Sequence, residues 1–230
     1  MEYYSISEKG LREQNEDNFI AENLNKLYLF AVADGLGGHS YGEMASKIAI
    51  GELKEAFIRK NDKGLQEGVI KANQTIFSEN KRRQTDMGTT IVACILNERT
   101  SECIVAHVGD SRAYFFDDTL WKTKDHSLVQ TLIDSGSIRE EEAFQHPKKN
   151  IITKSLGLEE NIDVVIDRKN AKNAIILLCS DGLSDYIHDE ELAVIAKRYR
   201  PKEACEKLVK KALDNGSNDN ITVIIINCMD

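Results

Sequence analysis

Aspartate recurs in this 230-residue chain where apolar runs end or begin. Asp34, in Ala33-Asp34-Gly35-Leu36, follows the apolar residues 27–32. Asp181, in Ser180-Asp181-Gly182-Leu183, follows residues 174–179. Each sits where a buried strand stops and a glycine lets the backbone turn sharply. A third run, 103–108, leads into Gly109-Asp110, and a fourth, 221–226, starts after Asn218-Asp219-Asn220. In antiparallel sheets the end of one strand and the start of its neighbour share an edge. Asp34, Asp110, Asp181 and Asp219 are therefore expected on one rim. Carboxylates about 4 Å apart repel by roughly 1–4 kcal/mol per pair, and hard cations with oxygen ligands remove that cost. The chemistry to expect is a site for several metal ions.

Other chemistry-bearing residues lie between these points. Arg12-Glu13-Gln14-Asn15-Glu16-Asp17 is a polar stretch between two strand candidates. Its arginine fork suits a phosphate, and Glu16 and Asp17 add acid groups for metals or their waters. Taken alone, this stretch reads by default as a solvated charged turn. His39 follows the glycine-rich turn beside Asp34 and reads as a functional residue. His107 reads as a core histidine, His126 as a structural contact in a turn, and His146 and His188 as loop residues. Gly35-Leu36-Gly37-Gly38 lies between a strand and a helix, yet it lacks the spacing of a dinucleotide loop. Asp34 would also repel phosphate there unless a metal intervened.

The elements that must position these groups follow from apolar spacing. Strands are expected over 3–7, 18–22, 27–33, 89–96, 101–108, 113–116, 163–167, 175–180 and 221–227, with a hairpin turn at Asn97-Glu98-Arg99-Thr100. Helical spacing marks 44–57, 65–76, 128–133 and 204–213. Pro201 suits the first turn of the last helix, and Asn215-Gly216 its end. Strict βαβ alternation is absent, which favours an α+β layered protein. Residues 136–154 form a polar connection, long for a compact domain, and such loops are usually functional or mobile.

Composition bounds the function classes. With 41% hydrophobic and 30% charged residues, the chain reads as one soluble globular domain with a sizeable core, 1–230, without a linker. A net charge of −8 argues against nucleic-acid or membrane-surface binding. It leaves anionic substrates open, because bound cations invert the local sign. No signal peptide is visible, no apolar run approaches the ~20 residues of a membrane span, and a cytoplasmic location is expected. Five cysteines without a C-x-x-C pair, an odd number, read as small buried hydrophobes rather than a disulfide framework.

Taken in order, these motifs resemble one family. They are Arg12…Asn15-Glu16-Asp17, Asp34-Gly35-x-Gly37-Gly38-His39, Gly42-Glu43-x-Ala45-Ser46, Met87-Gly88-Thr89-Thr90, His107-Val108-Gly109-Asp110-Ser111-Arg112, Ser180-Asp181-Gly182 and Asn218-Asp219-Asn220-Ile221-Thr222. The chain is similar to the metal-dependent, type 2C serine/threonine protein phosphatases, most of all their compact bacterial branch. There Thr123-Lys124-Asp125-His126-Ser127 and the stretch from His146-Pro147 to Gly157 also look familiar. The spacing departs once, with one residue between Gly10 and Arg12 where many relatives have two.

The resemblance implies a four-layer α-β-β-α sandwich, two central antiparallel sheets flanked by helices, with a flap at about 136–154. It also implies roles. Asp34 would bridge two ions, with the Gly35 carbonyl completing one. Asp181 and Asp219 would hold the first ion. Asp110, with Asp181, would hold a weaker third. Glu16 and Asp17 would serve metal-bound waters or ligate directly, Arg12 would bind the substrate phosphate, and His39 is the candidate acid. The implied reaction is hydrolysis of phosphoserine and phosphothreonine monoesters by a metal-bridging hydroxide.

An all-oxygen ligand set favours Mn²⁺ or Mg²⁺ over Zn²⁺. One general acid supplies only about 10²–10⁴ of an acceleration near ~10²¹, so charge neutralisation and positioning must supply the rest. The expected partners are phosphorylated proteins, including a serine/threonine kinase and its substrates, met by a monomer with no fused sensor or anchor. A regulatory phosphatase acting on an anti-sigma antagonist is a close variant. A catalytically dead binding module should have lost its metal aspartates, and a structural metal domain leaves Arg12 without a reason.

Overall fold

Strands that are apolar on both faces dictate the architecture. The computed structural model describes residues 1–36 and 41–229. The chain runs β1 (Glu2–Glu8), β2 (Asn18–Leu24), β3 (Leu27–Ala33), β4 (Gly35–Leu36), α1 (Tyr41–Lys60), α2 (Gly64–Arg83), β5 (Gly88–Thr89), β6 (Ile91–Asn97), β7 (Glu102–Val108), β8 (Arg112–Phe116) and β9 (Leu120–Lys122). It continues through α3 (Leu128–Asp134), α4 (Glu140–Ala143), β10 (Val165–Asn170), β11 (Ile175–Cys179), α5 (Asp181–Ser184), α6 (Asp189–Arg198), α7 (Pro201–Asp214) and β12 (Ile221–Asn227).

Two five-stranded antiparallel sheets result, ordered β1-β12-β11-β8-β9 and β10-β7-β6-β3-β2. Strand β3 shows why they stack. Successive side chains leave a strand on opposite faces. Leu29, Ala31 and Ala33 pack with Ala45, Ala49, Leu53 and Phe57 of α1 and with α2. Tyr28, Phe30 and Val32 meet Phe115, Ile176, Leu178, Ile224 and Ile226 of the other sheet. The other face of that second sheet, with Leu177, Val223 and Ile225, is covered by Leu192, Cys205 and Leu208 of α6 and α7. The layers are therefore helices, sheet, sheet, helices, as the resemblance implied. Each fully buried Leu, Ile or Phe contributes about 1.5–3 kcal/mol.

Several local expectations hold. The turn at Asn97 closes with Ser101 N donating to Asn97 O at 2.8 Å, Pro201 occupies the first turn of α7, and the cysteines are free, four of them buried. Others need correction. The strand expected at 163–167 runs Val165–Asn170 instead, because β7 sets its register from Val165↔His107 to Asn170↔Glu102. The strand expected at 89–96 is broken at Thr90, whose backbone and hydroxyl turn aside to bond Asp34. Helix α6 was not expected, since its apolar stripe covers only two to three turns. Helix α1 runs past its apolar stripe at its C-terminal end, where Arg59 and Lys60 face solvent.

Candidate active site

The rim is built by strand ends from both sheets. Asp34 follows β3, Asp110 sits between β7 and β8, Asp181 follows β11, and Asp219 precedes β12. Asp17 leads into β2 beneath them.

Backbone anchoring is dense. Asp34 O accepts from Thr90 N at 2.9 Å and from the Thr89 hydroxyl at 2.8 Å, while Asp34 N donates to Thr90 Oγ1 at 3.1 Å. That same Thr90 hydroxyl shares a 2.7 Å hydrogen bond with Ser111, next to Asp110. The Met87–Thr90 motif thus joins two of the carboxylate turns. Asn220 joins two more segments. Its amide donates to Lys9 O and Gln14 O at 2.8 and 2.9 Å, and its Oδ1 accepts from Glu16 N at 2.8 Å. A Cβ on Gly182 would lie 2.0 Å from Asn220 O, so only glycine lets the Asp181 and Asp219 turns close on each other.

The electrostatics of this rim are those of crowded acids. Burial, then the charges of Asp17, Asp181 and Asp110, hold the Asp34 carboxyl well above the usual carboxylate range. Burial, then Asp110, Asp185 and Asp219, does the same to Asp181. Burial pushes Asp17 up to about 6 and Asp110 up to about 7, and it also raises Glu16. Asp17 Oδ2 accepts from Ser180 Oγ at 2.8 Å. The other oxygen of Asp17, with Oδ1 of Asp110 and of Asp181, is buried and has no hydrogen-bond partner. Orphaned buried carboxylate oxygens are costly unless something positive meets them. Among the described residues no three His, Cys, Asp or Glu side chains are drawn together tightly enough to hold an ion as they stand. The residues nonetheless fit hard divalent cations, because the orphaned donors are all oxygen and of one sign.

Arg12 stands at the edge, and here the structure differs from the simplest expectation. Its fork is on a carboxylate, with Nε donating to Asp219 Oδ1 at 2.9 Å and Nη2 to Asp219 Oδ2 at 2.7 Å. That bidentate bond raises the guanidinium pKa further. The side chain is 57% exposed, so the fork is open to a ligand. His39 lies outside the described residues. Glu16 is half-buried, and a Cβ on Gly42 would sit 2.9 Å from its carboxylate.

Sequence reasoning missed three contributors. Asp185, one turn after Asp181, faces Asp181 and Asp110 and is held by Lys149, whose Nζ lies 3.1 Å from Asp185 Oδ2. Ser180 and Asn220 belong to motifs already singled out, but their roles as anchors needed the tertiary structure. Of the histidines, His188 is exposed and stacks on Phe144 at 3.9 Å, closing the 136–154 segment over a cavity of about 520 Å³ lined by Lys122, Asp125, Phe144, Lys149 and Asp185.

Comparison with known proteins points the same way as the site. The sequence model described as Protein phosphatase 2C matches residues 1–131 and 161–221 and leaves out the stretch containing α4. The serine/threonine phosphatase stp of Listeria innocua is 35% identical over 233 residues, covering 94% of this chain and 91% of that protein. The solved structure of the Mycobacterium tuberculosis serine/threonine phosphatase PstP/Ppp superposes with a TM-score of 0.89 at 32% identity, over 100% of this chain and 99% of that one. The catalytic domain of PstP with two manganese ions gives a TM-score of 0.87 at 32% identity, over 100% and 98%. The family model spans most of the chain and the sandwich superposes over its full length, and the chain belongs to the protein phosphatase 2C family.

Proposed function

We propose that this chain is a metal-dependent serine/threonine protein phosphatase, hydrolysing phosphoserine and phosphothreonine monoesters. The observation that carries this reading is the set of orphaned carboxylate oxygens on Asp17, Asp110 and Asp181, gathered around Asp34 with the Arg12 fork at their edge. Asp34, Asp181, Asp219 and the Gly35 carbonyl would hold two ions, Asp110 with Asp181 a third, and Glu16 and Asp17 would ligate or order the surrounding water. Mn²⁺ or Mg²⁺ bound there would supply an acidified water and positive charge against the phosphoryl oxygens. The protein's own groups do the rest. The Arg12 fork passes from Asp219 to the substrate phosphate, which it can grip bidentately. His39 delivers a proton to the leaving serine or threonine oxygen.

Residues 1–230 act as one phosphatase domain, with 136–154 as a flap beside the site. The relatives named as serine/threonine phosphatases support phosphorylated proteins as substrates, and we propose a serine/threonine kinase and its substrates among them. No helix is long and apolar enough to cross a membrane among the described residues. We place the protein in the cytoplasm, as a monomer.

The test is hydrolysis of p-nitrophenyl phosphate and a phosphothreonine peptide, with and without Mn²⁺, in wild type and Asp181→Asn. Manganese-dependent turnover that falls by more than about 10²-fold in the variant supports the reading, since changes outside the ligand set cost about 10–100-fold. A folded wild type without turnover in any divalent ion overturns it.

A further inference from the structure

The segment Thr123–Ser127 is not used by the reaction described above, yet it wraps the turn that carries Asp110. Gly109, at the start of that turn, has φ +103°, and a Cβ there would lie 2.7 Å from the Thr90 side chain. The turn is thus pinned on one side by Thr90, through Ser111. His126 pins the other side twice. Its backbone N donates to Gly109 O at 2.8 Å, and its ring Nδ1 accepts from Gly109 N at 3.0 Å. The ring stacks on His107 with centroids 5.0 Å apart and planes 7° apart, and His107 Nε2 bonds Lys124 O at 2.9 Å. Asp125 grips Arg112, two residues after Asp110, with bonds of 2.8 and 2.6 Å. His126 O in turn accepts from Thr153 N of the flap at 2.8 Å.

We propose that His126 is a positioning residue: its Nδ1, by holding the Gly109 amide, sets Asp110 for ion binding and ties that carboxylate to the flap. The proposal rests on the reading of Asp110 as an ion ligand. Two features make the ring nitrogen, rather than mere bulk, the working part. A histidine that both accepts at Nδ1 and donates through its backbone to the same residue closes a small ring of hydrogen bonds around Gly109, which fixes the orientation of the following peptide. Burial, then the neighbouring His107, keeps the imidazole down at about 4, so Nδ1 is an acceptor throughout the neutral range. Outer partners of this kind typically affect metal affinity by about 10–100-fold.

Asparagine and glutamine separate geometry from polarity. Asn Oδ1 occupies the place of Nδ1, whereas Gln Oε1 reaches the place of Nε2. The experiment compares wild type, His126→Asn, His126→Gln and Asp110→Asn by Mn²⁺ titration calorimetry and by the ¹⁵N-HSQC peaks of Gly109 and Asp110 in the full chain. The expected result is that Asn keeps the Asp110-dependent binding step within about threefold, and keeps the Gly109 amide shift, while Gln weakens that step by about 10-fold or more and moves the peak. Equal binding in Asn and Gln, whether both intact or both weakened, overturns the proposal. If Asp110→Asn leaves the titration unchanged, the ion-ligand reading of Asp110 itself falls, and the proposal falls with it by a signature no His126 variant shares.

Discussion

Asp34 has like charge on three sides, from Asp17, Asp181 and Asp110. In the proposed arrangement this carboxylate would contact both principal ions. Asp34→Asn should therefore abolish phosphatase turnover while the protein stays folded. Near-normal turnover in that variant would refute the central role given to this carboxylate. Arg12 makes a different prediction. Its two bonds to Asp219 require a planar fork that lysine lacks. Arg12→Lys should raise KM for a phosphopeptide about tenfold, the worth of one lost hydrogen bond near 1.4 kcal/mol, with a smaller change in kcat. An unchanged KM would mean that the fork does not reach the phosphate. Much of this site is legible in the sequence, because an aspartate beside a glycine at the end of an apolar run carries its own location. Asp185 is not legible, since nothing in Ser184-Asp185-Tyr186 marks it, and only the fold brings it against Asp110. The Arg12–Asp219 pair is equally hidden, its members being 207 positions apart.

At the scale of elements, the turns between strands carry the geometry. Gly109 holds a left-handed φ with Thr90 pressed against its open side. Gly109→Ala should destabilise the protein by about 1–3 kcal/mol, as for a residue forced into a sparsely populated backbone region. Urea denaturation should show a lower midpoint at unchanged slope, and an unchanged midpoint would mean the turn relaxes freely. Strands β3 and β12 are readable to the residue, because a run buried on both faces has abrupt apolar ends. Helix α7 is readable for its stripe and its proline. Strand β10 is misplaced by two to three residues, since an edge strand of alternating polar character takes its register from its neighbour. Strand β9 and helices α4 and α5 are too short to leave a period, and their form comes from the chain they pack on.

The whole molecule stores the cost of its own active site. Asp17 and Asp110 stand at about 6 and about 7 in the fold, against about 3.9 for an unfolded aspartate. A carboxyl raised by folding binds more protons in the native state. Its contribution is complete below about pH 4 and is lost as pH rises through 6 to 7. His126, lowered to about 4, acts oppositely, losing stability as pH falls below about 6.5. Between about pH 4 and 6.5 the raised carboxyls outweigh the one lowered imidazole, so in chelator thermal stability should be highest near about pH 4 and decline toward pH 8, and Mn²⁺ should restore it most at the alkaline end. A melting temperature in chelator that climbs steadily to pH 8 would contradict this.

One feature of the architecture reaches further. The carboxylate rim straddles the seam between the two sheets, with Asp34 and Asp17 on one and Asp181 and Asp219 on the other. Neither half can assemble it alone, and the chain's two ends must meet before it exists. Catalytic competence is therefore a checkpoint on docking: a partly folded chain, even with one sheet complete, stays silent toward its substrates until the last interface closes.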